Sequence, residues 1–218
     1  GIQFQSTSVM EKLTVAEILK LFHSLYHQRS NLPELIKTCD LESLMSQKAI
    51  KLSGGQKQRL MFALALINDP QIVFLDEPST GLDPQSRRNL WELIGRIKRQ
   101  GKTVLLTTHY MDEAEILCDT LVIVDRGDII AQGSPQELLK QHFDHFYVSL
   151  DRIDFEPVME AWSEPIIDNH EQIEIQSRSV EVTLQNLQQQ QVSLSSLRVR
   201  NPTLEDLFLK LTGHSLRE

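Results

Sequence analysis

Cysteine is scarce in this sequence, and long hydrophobic runs are missing. Of the 218 residues only Cys39 and Cys118 are cysteines, and they fit neither a metal-ligand spacing nor a disulfide framework. The longest fully apolar run, residues 60–67, is far shorter than the ~20 residues a helix needs to span a bilayer. We therefore expect a cytosolic protein with reduced thiols, which could act at a membrane only through another chain.

Positive charge is also in short supply. The 22 lysines and arginines are outnumbered by 30 acidic residues, which gives a formal net charge of −8. Nucleic-acid-binding domains usually carry a basic footprint, so this balance argues against general nucleic-acid binding. An apolar fraction of 40% is ordinary for a globular protein, and the length suits one domain with a small second one, or a single larger domain.

Hydrophobic periodicity predicts that helices and strands alternate over most of the chain. Apolar strands are predicted at 71–76 and 103–107, and helical spacing covers residues 14–28, 56–68 and 84–100. Two short helices are predicted at 31–40 and 41–47, and residues 6–10 are predicted to form a linker. Such alternation indicates an α/β domain with a largely parallel sheet.

The pattern changes towards the end of the chain. A hairpin around Arg126 and Gly127 and a helix capped by Ser134 close the first part. From about residue 142 a small α+β domain is predicted, with strands at 145–150, 172–176, 180–184 and 197–200 and helices at 155–162 and 203–211.

The strongest local signal is Leu-Ser-Gly-Gly-Gln at residues 52–56, directly before a predicted helix. Gly54 and Gly55 let the backbone approach a ligand closely, and Ser53 offers a hydroxyl and a helix N-cap. The helix that follows presents free N–H groups and the positive end of its dipole. This combination suits a phosphate site, although a capped glycine turn explains it equally well when taken alone.

Two adjacent carboxylates, Asp76 and Glu77, follow the predicted strand 71–76. Neighbouring side chains of an extended chain point to different sides, so the two acids can take different roles. One can hold Mg²⁺, commonly through water, and the other can orient or deprotonate an attacking water. A solvated strand end is the alternative for such a pair. Asp83, at the end of the next loop, can cap the helix that follows.

His109 comes just after the second predicted strand, 103–107. α/β proteins bind ligands at the carboxyl ends of parallel strands, so a histidine there could donate a hydrogen bond to a γ-phosphate. A purely structural histidine is the alternative.

In this order the motifs resemble the ATP-binding subunits of ABC transporters. Residues 52–56 resemble the family's signature motif, 73–76 its Walker B strand and 79–83 its D-loop. Gln5 resembles the Q-loop glutamine, with Gln3 as the alternative register. The resemblance implies a P-loop NTPase-like ABC ATPase core over residues 1–141, with a helical subdomain at about 11–68, and a small α+β C-terminal extension over 142–218.

The resemblance also implies a role for each matched residue. Asp76 and Gln5 would hold Mg²⁺, Glu77 would polarise the attacking water, and His109 would contact the γ-phosphate of ATP. Ser53, Gly54, Gly55 and Gln56 would close over the ATP of a second subunit, and Asp83 of the D-loop would also belong to the ATP-binding residues. Hydrolysis would reopen the dimer, and the region after Gln5 would transmit this change to a separate multi-span permease.

Residues 201–213 resemble the C-terminal extension of drug-resistance-type exporter ATPases. This implies an export subunit in the cytoplasm, held peripherally on the inner face of the cell membrane by its permease, with no nucleic-acid partner. An amphipathic helix capped by Asn201 accounts for the same residues in physical terms.

A phosphate-binding GxxxxGK[S/T] loop does not occur in residues 1–218. The segment most similar to this pattern, residues 95–103, has Gln100 where glycine is required and lies after a predicted helix instead of a strand. We expect the Walker A portion to lie upstream of Gly1, and we expect residues 1–218 alone to hydrolyse ATP negligibly. The alternatives are a truncated module that pairs with an intact ATPase subunit, and a soluble ABC ATPase outside transport.

Overall fold

The computed structural model describes residues 1–5, 10–28, 30–155, 158–159 and 162–213. Residues 6–9 of the linker expected at 6–10 and residues 156, 157, 160 and 161 of the helix expected at 155–162 lie outside these residues. The chain divides into two compact units, Gly1–Leu117 and Cys118–Glu218. This division by contacts falls earlier than residue 141, and the domain assignment of 1–141 and 142–218 stays a prediction.

The first unit is organised around a three-stranded parallel sheet. Its strands are β1 (Ile2–Gln3), β2 (Ile72–Asp76) and β3 (Thr103–Thr107), in the order β1-β2-β3. β2 and β3 pair along their whole length, up to Asp76 opposite Thr107. Parallel strands paired in this way bring their carboxyl ends to one edge of the sheet.

Five helices are described in the first unit: α1 (Val15–Ser24), α2 (Leu32–Thr38), α3 (Gly54–Leu66), α4 (Pro84–Arg99) and α5 (Met111–Leu117). The helix expected at 41–47 is reduced to a 3₁₀ turn, Glu42–Leu44. Thr14 and Glu17 form a capping box at the start of α1. Buried side chains of α3 and α4, including Leu60, Phe62, Leu93 and Ile97, form much of the core with Val73 and Leu75 of β2.

The opposite face of the sheet is apolar and exposed. Ile2, Phe74 and Leu105 lie side by side across the three strands, and these residues are 58%, 43% and 57% exposed. Exposed apolar surface of this kind favours association.

The second unit begins with the predicted hairpin. β4 (Leu121–Asp125) and β5 (Asp128–Gly133) are antiparallel neighbours. Arg126 and Gly127 both have positive φ, 50° and 91°, as a two-residue turn between twisted strands requires. α6 (Pro135–His142) follows, capped as predicted by Ser134, which forms a capping box with Glu137. Among the described residues of the chain, no helix is long and apolar enough to cross a membrane.

The rest of this unit has a β-α-β-β-α-β order. Its elements are β6 (Phe146–Asp151), α7 (Arg152–Phe155), β7 (Ile166–Asp168), β8 (Gln172–Ser177), α8 (Val180–Gln189) and β9 (Arg198–Arg200). The sheet is antiparallel with strand order β7-β8-β6-β9. This is the ferredoxin-like, split β-α-β arrangement, and it gives the expected α+β class a definite topology.

Two local predictions in this unit are wrong. Residues 180–184, expected as a strand, form the first half of α8. Their β-branched alternation favours a strand, but Ser179 accepts a hydrogen bond from the Val182 backbone N–H at 3.4 Å and caps a helix instead. Thr183 and Leu187, one turn apart, are then both buried, so packing outweighs local propensity.

The last helix, α9 (Leu204–Thr212), starts later than expected. Its N-cap is Thr203, which forms a capping box with Asp206, and not Asn201. Because Pro202 restricts the residue before it to extended conformations, Asn201 is poorly placed to begin a helix. Three residues of the amphipathic face, Leu204, Leu207 and Phe208, are buried, whereas Leu211, expected on the same face, is only partly buried.

Arg200 joins three elements of the second unit. Its Nη1 lies 2.7 Å from Asp206 Oδ2 near the start of α9, and its Nε lies 3.2 Å from Glu174 Oε1 on β8. The guanidinium also lies 4.0 Å from the centroid of the Tyr147 ring on β6. One side chain thus attaches the last helix to the sheet.

Replacing Arg200 by methionine should lower the free energy of unfolding of this unit by about 1–2 kcal/mol, because charge-assisted hydrogen bonds are lost at a partly exposed site. Arg198→Met is the matched control, since Arg198 is exposed on the same strand. Urea denaturation followed by circular dichroism measures the difference. Equal losses in the two variants would contradict the anchoring role of Arg200.

The contribution of the Arg200–Asp206 ion pair to the free energy of unfolding should also depend on pH. Burial acts to raise the pKa of Asp206, but hydrogen bonds from Arg200 and Thr203 together outweigh it and leave that pKa below its usual value. A lowered folded-state pKa stabilises the fold above the unfolded value of about 4 and ceases to do so as the pH falls through the folded value. The difference between wild type and Arg200→Met should therefore shrink below about pH 4.

Candidate functional site

The carboxylates Asp76 and Glu77 lie where β2 ends. Asp76 is paired with Thr107 of β3, and the Thr107 hydroxyl donates a hydrogen bond to Asp76 Oδ1 at 2.6 Å. The backbone N–H of Glu77 donates to the Thr107 carbonyl oxygen at 3.0 Å, which extends the strand pairing by one residue. The register between β2 and β3 therefore fixes both acids at the edge of the sheet.

The carboxylate of Glu77 is the centre of this site. Gln5 Nε2 donates to its Oε2 at 2.6 Å, and the Thr80 hydroxyl donates to the same oxygen at 3.2 Å. His109 Nδ1 lies 3.4 Å from the other oxygen, Oε1. The Glu77 side chain is 29% exposed, so it is held by neighbours yet open to solvent.

The backbone at Glu77 is in the left-handed region, with φ of 44°. This conformation is uncommon for a residue with a side chain and costs free energy. Hydrogen bonds hold it in place on both sides, from the Glu77 N–H to Thr107 and from the Thr80 N–H to the Glu77 carbonyl at 3.2 Å. The bend turns the Glu77 side chain away from the path of the strand.

The segment that carries His109 is attached to α4. The His109 ring packs on Tyr110 with centroids 4.2 Å apart. Arg87 of α4 lies 4.3 Å from the Tyr110 ring centroid and 3.7 Å from Asp112. These contacts hold His109 close to Glu77.

Gln5 and Gln3 were the two alternatives for the Q-loop glutamine, and of these Gln5 is the one whose side chain reaches the site. Gln3 is 2% exposed, and neither atom of its side-chain amide has a hydrogen-bond partner among the described residues. Gln5 lies just after β1, and its amide donates to Glu77. The geometry thus favours the Gln5 register.

The signature residues form a second group, at the start of α3. Ser53 and Gln56 form a capping box, with the Ser53 N–H 2.9 Å from Gln56 Oε1 and the Gln56 N–H 3.3 Å from Ser53 Oγ. Gly55 lies against α4, since a Cβ built on it would be 2.4 Å from Ser86 Oγ. Only glycine fits at this contact, which brings the starts of α3 and α4 together.

Asp83 belongs to this second group and caps α4. Its Oδ1 accepts hydrogen bonds from the backbone N–H groups of Gln85 and Ser86, at 3.1 and 2.9 Å. Its Oδ2 accepts from the Ser86 hydroxyl at 2.6 Å. These hydrogen bonds, first of all that from the Ser86 side chain, lower the pKa of Asp83. Asp83 is exposed, so one face of its carboxylate is open to a neighbour.

The structure thus brings Gln5, Asp76, Glu77 and His109 together and keeps the signature group apart from them. Within the part of the chain that the structure describes, no hydrogen bond joins Ser53, Gly54, Gly55, Gln56 or Asp83 to those four residues. The nearest connection is from Gln58 Nε2, one turn into α3, to the Pro78 carbonyl oxygen at 2.5 Å. Among the described residues, the signature group and the four site residues are therefore two separate hydrogen-bonded groups.

Sequence reasoning missed the two threonines of the site. Thr107 binds Asp76 and Thr80 binds Glu77 through their hydroxyl groups. Thr80 stands in the D-loop motif and Thr107 directly before Thr108 and His109, so their positions were visible. Their partners were not, because the Thr107 contact depends on strand register and the Thr80 contact on the bend at Glu77.

The arrangement suits hydrolysis of a phosphoanhydride with a divalent cation. Glu77 can orient a water molecule, with His109 and Gln5 beside it as further hydrogen-bonding groups. No cluster of three or more histidine, cysteine or acidic residues suited to a metal ion occurs among the described residues. A cation here would therefore take most of its ligands from water and from the phosphates of a substrate, as Mg²⁺ commonly does.

Comparison with known proteins gives a consistent answer. The profile of the family described as ABC transporter matches residues 1–80. The Nod factor export ATP-binding protein I of Rhizobium sp. (strain N33) is 34% identical over the whole chain, which covers 74% of that relative. The chain belongs to the ABC transporter ATP-binding subunits. The protein of the same description from Rhizobium johnstonii is 36% identical to this ABC subunit, which covers 72% of it.

Solved structures support the fold. An ATP-binding subunit of an ABC transporter is 32% identical with a TM-score of 0.54, over 64% of this chain and 60% of that one. CbiO1 from Clostridium perfringens, part of the transporter complex cbiONQ, is 27% identical with a TM-score of 0.58, over 65% and 59%. The chain thus spans about three fifths of these solved structures. The predicted exporter-type ABC subunit with a P-loop NTPase-like α/β fold is confirmed.

The contact between α3 and α4 makes a specific prediction. Gly55→Ala should lower the free energy of unfolding by about 1–3 kcal/mol, because the added methyl group would lie too close to Ser86. Gly54→Ala is the matched control, since its nearest neighbour, Leu82 Cδ2, is at an ordinary 3.8 Å. Denaturant unfolding of both variants provides the measurement.

Adding Ser86→Gly to Gly55→Ala should restore part of the lost stability, because it removes the clashing side chain. A Gly55→Ala variant as stable as Gly54→Ala would show that α3 and α4 are not in close contact.

Proposed function

We propose that this chain is the ATP-hydrolysing part of an ABC transporter subunit and that Glu77 is its catalytic base. The observation that supports this most directly is the convergence of Gln5, Thr80 and His109 on the Glu77 carboxylate. A glutamate held by several donors at the end of a parallel strand is well placed to orient a water for attack on a γ-phosphate.

Mg²⁺ and ATP fit the oxygen-rich edge of the sheet. The Asp76 carboxylate is exposed and oriented by Thr107, so it could bind the cation directly or through water. The Gln5 amide N–H₂ group donates to Glu77, which leaves the amide oxygen as a second oxygen ligand. Bound Mg²⁺ would neutralise charge on the phosphates, while Glu77 and His109 would orient water and the γ-phosphate.

The separate position of the signature group supports an ATP-driven dimer. Ser53, Gly54, Gly55 and Gln56 start α3, whose N-terminus suits a phosphate. Since no hydrogen bond among the described residues joins this group to Glu77 of its own chain, we propose that it closes over ATP bound by a second ATP-binding subunit. Asp83, exposed beside it, would contact that partner across the interface.

We further propose that the subunit drives export through a separate multi-span permease, with the subunit at the cytoplasmic face of the membrane. The relatives from two rhizobia carry export in their descriptions, which supports the direction of transport. The drug-resistance-type assignment depends on the resemblance of residues 201–213, of which Leu204–Thr212 form α9. The region proposed to transmit the motion begins in residues 6–9, outside the described residues.

Glu77→Gln in the complete subunit assembled with its permease should lower kcat for ATP hydrolysis by about 10²–10⁴-fold, because the general base is lost. ATP affinity should be retained, since glutamine keeps the size and hydrogen bonding of the side chain. Glu92→Gln, at an exposed glutamate of α4, is the matched control. Steady-state phosphate release and nucleotide binding give the two quantities.

A Glu77→Gln rate within threefold of wild type would refute Glu77 as the base. Residues 1–218 alone should show negligible hydrolysis, because a GxxxxGK[S/T] loop does not occur in them.

The lack of this loop in residues 1–218 also favours a second candidate function, a module that lends its signature motif to an intact ATPase subunit. That candidate predicts that residues 1–218 stimulate an intact subunit, and that Ser53→Arg abolishes the stimulation while Glu77→Gln does not.

A further inference from the structure

Glu113 of α5 is a buried carboxylate outside the group that surrounds Glu77. It is 0% exposed. Its Oε1 accepts a hydrogen bond from the Ser79 hydroxyl and another from Trp91 Nε1 at 2.9 Å. Its Oε2 is buried without a hydrogen-bond partner among the described residues.

Stability alone does not explain an acid in this position. Burying a carboxylate is costly, and an unpaired oxygen adds to the cost. Replacing a buried ionic group by a well-packed apolar residue is often neutral or stabilising, so a leucine would serve the core at least as well. The carboxylate does, however, connect three segments, because it binds both Ser79 and Trp91.

The two ends of the hydrogen bond from Ser79 to Glu113 matter for the site. Ser79 lies two residues after Glu77, and Glu113 lies four residues after His109. The same two segments meet again at the site, where His109 Nδ1 is 3.4 Å from Glu77 Oε1. The buried hydrogen bond between Ser79 and Glu113 and the exposed contact between His109 and Glu77 therefore join the same two segments at two points. We call this closed loop of contacts the ring. Each of its two segments carries a proposed catalytic group.

We propose that Glu113 is a positioning residue that holds Glu77 and His109 in register by tying Ser79 to α5. The inference rests on the proposed ATPase function. Trp91 of α4 is a second donor to the same Glu113 oxygen, but the tie between Ser79 and α5 does not depend on it. Glu113 acts only through Ser79 and the α5 backbone, and it contacts no substrate.

The test uses the complete subunit assembled with its permease, with ATP and Mg²⁺ as substrate. Five single variants are compared by kcat and KM: Glu113→Leu, Glu113→Gln, Ser79→Ala, Trp91→Phe and Ile97→Val. Ile97 is buried on α4 away from the ring and controls for a general loss of stability. The double variant Ser79→Ala with Glu113→Leu completes a mutant cycle.

We expect Glu113→Leu and Ser79→Ala each to lower kcat by about 10- to 100-fold with KM changed less than threefold, as misplacement of reacting groups does. Glu113→Gln should stay within about threefold of wild type, because its amide oxygen can still accept from Ser79 and Trp91. Trp91→Phe and Ile97→Val should also stay within about threefold. The double variant should be no slower than the slower single variant.

Several results would overturn the inference while leaving the ATPase proposal intact. The first is a decrease in kcat for Glu113→Leu that is no larger than the decrease for Ile97→Val. The second is a double variant whose decrease in kcat equals the product of the decreases for Ser79→Ala and Glu113→Leu. The third is a rise in KM at unchanged kcat in these variants. A loss in Trp91→Phe equal to that in Ser79→Ala would assign the role to α4 instead of the loop.

A second measurement separates this inference from the proposed function. Hydrogen exchange of the Glu77 and Thr80 amides in residues 1–218 should be about tenfold faster in Ser79→Ala and Glu113→Leu than in Ile97→Val. Unchanged exchange would refute the ring whatever the ATPase rates are. Faster exchange together with no Glu77-dependent hydrolysis in the wild-type complex would confirm the ring and refute the catalytic proposal.

Discussion

The parallel pairing of β2 with β3 is the constraint on which the candidate site depends. It sets Asp76 opposite Thr107 and continues through the Glu77 N–H to the Thr107 carbonyl. A shift of one residue would move every side chain of the strand to the other face of the sheet. Buried Val73 and Leu75 would then be exposed, so the core that stabilises the sheet also fixes the register of the acids.

Much of the first unit could be predicted because its motifs combine strong local signals. Glycines, a serine cap and a helical apolar pattern placed α3, and short apolar runs placed β2 and β3. The positions of Asp76, Glu77 and His109 at strand ends followed from these elements. The partners of these residues did not, because the contacts of Thr80, Thr107 and Glu113 depend on register and loop geometry that no local pattern encodes.

The second unit shows where local reasoning fails. Residues 180–184 have the composition of a strand, yet the capped turn at Ser179 and the burial of Thr183 beside Leu187 make them helical. The same packing settles the topology, since a helix between β8 and β9 is what a β-α-β-β-α-β sheet requires. The local sequence pattern indicated the α+β class correctly, because the class depends only on the number of helices and strands. The topology could not be predicted in this way, because it depends on long-range contacts between those helices and strands.

The left-handed backbone at Glu77 sets the proposed catalytic role and the stability of the fold in opposition at one residue. Holding a glutamate at φ of 44° costs about 1–3 kcal/mol, whereas glycine adopts this conformation without strain. Glycine at this position would therefore relieve the strain, and a demand for the carboxylate, as in the proposed catalytic role, accounts for the glutamate. Chains that have lost that demand can be recognised in any set of relatives by a small residue at the position equivalent to Glu77.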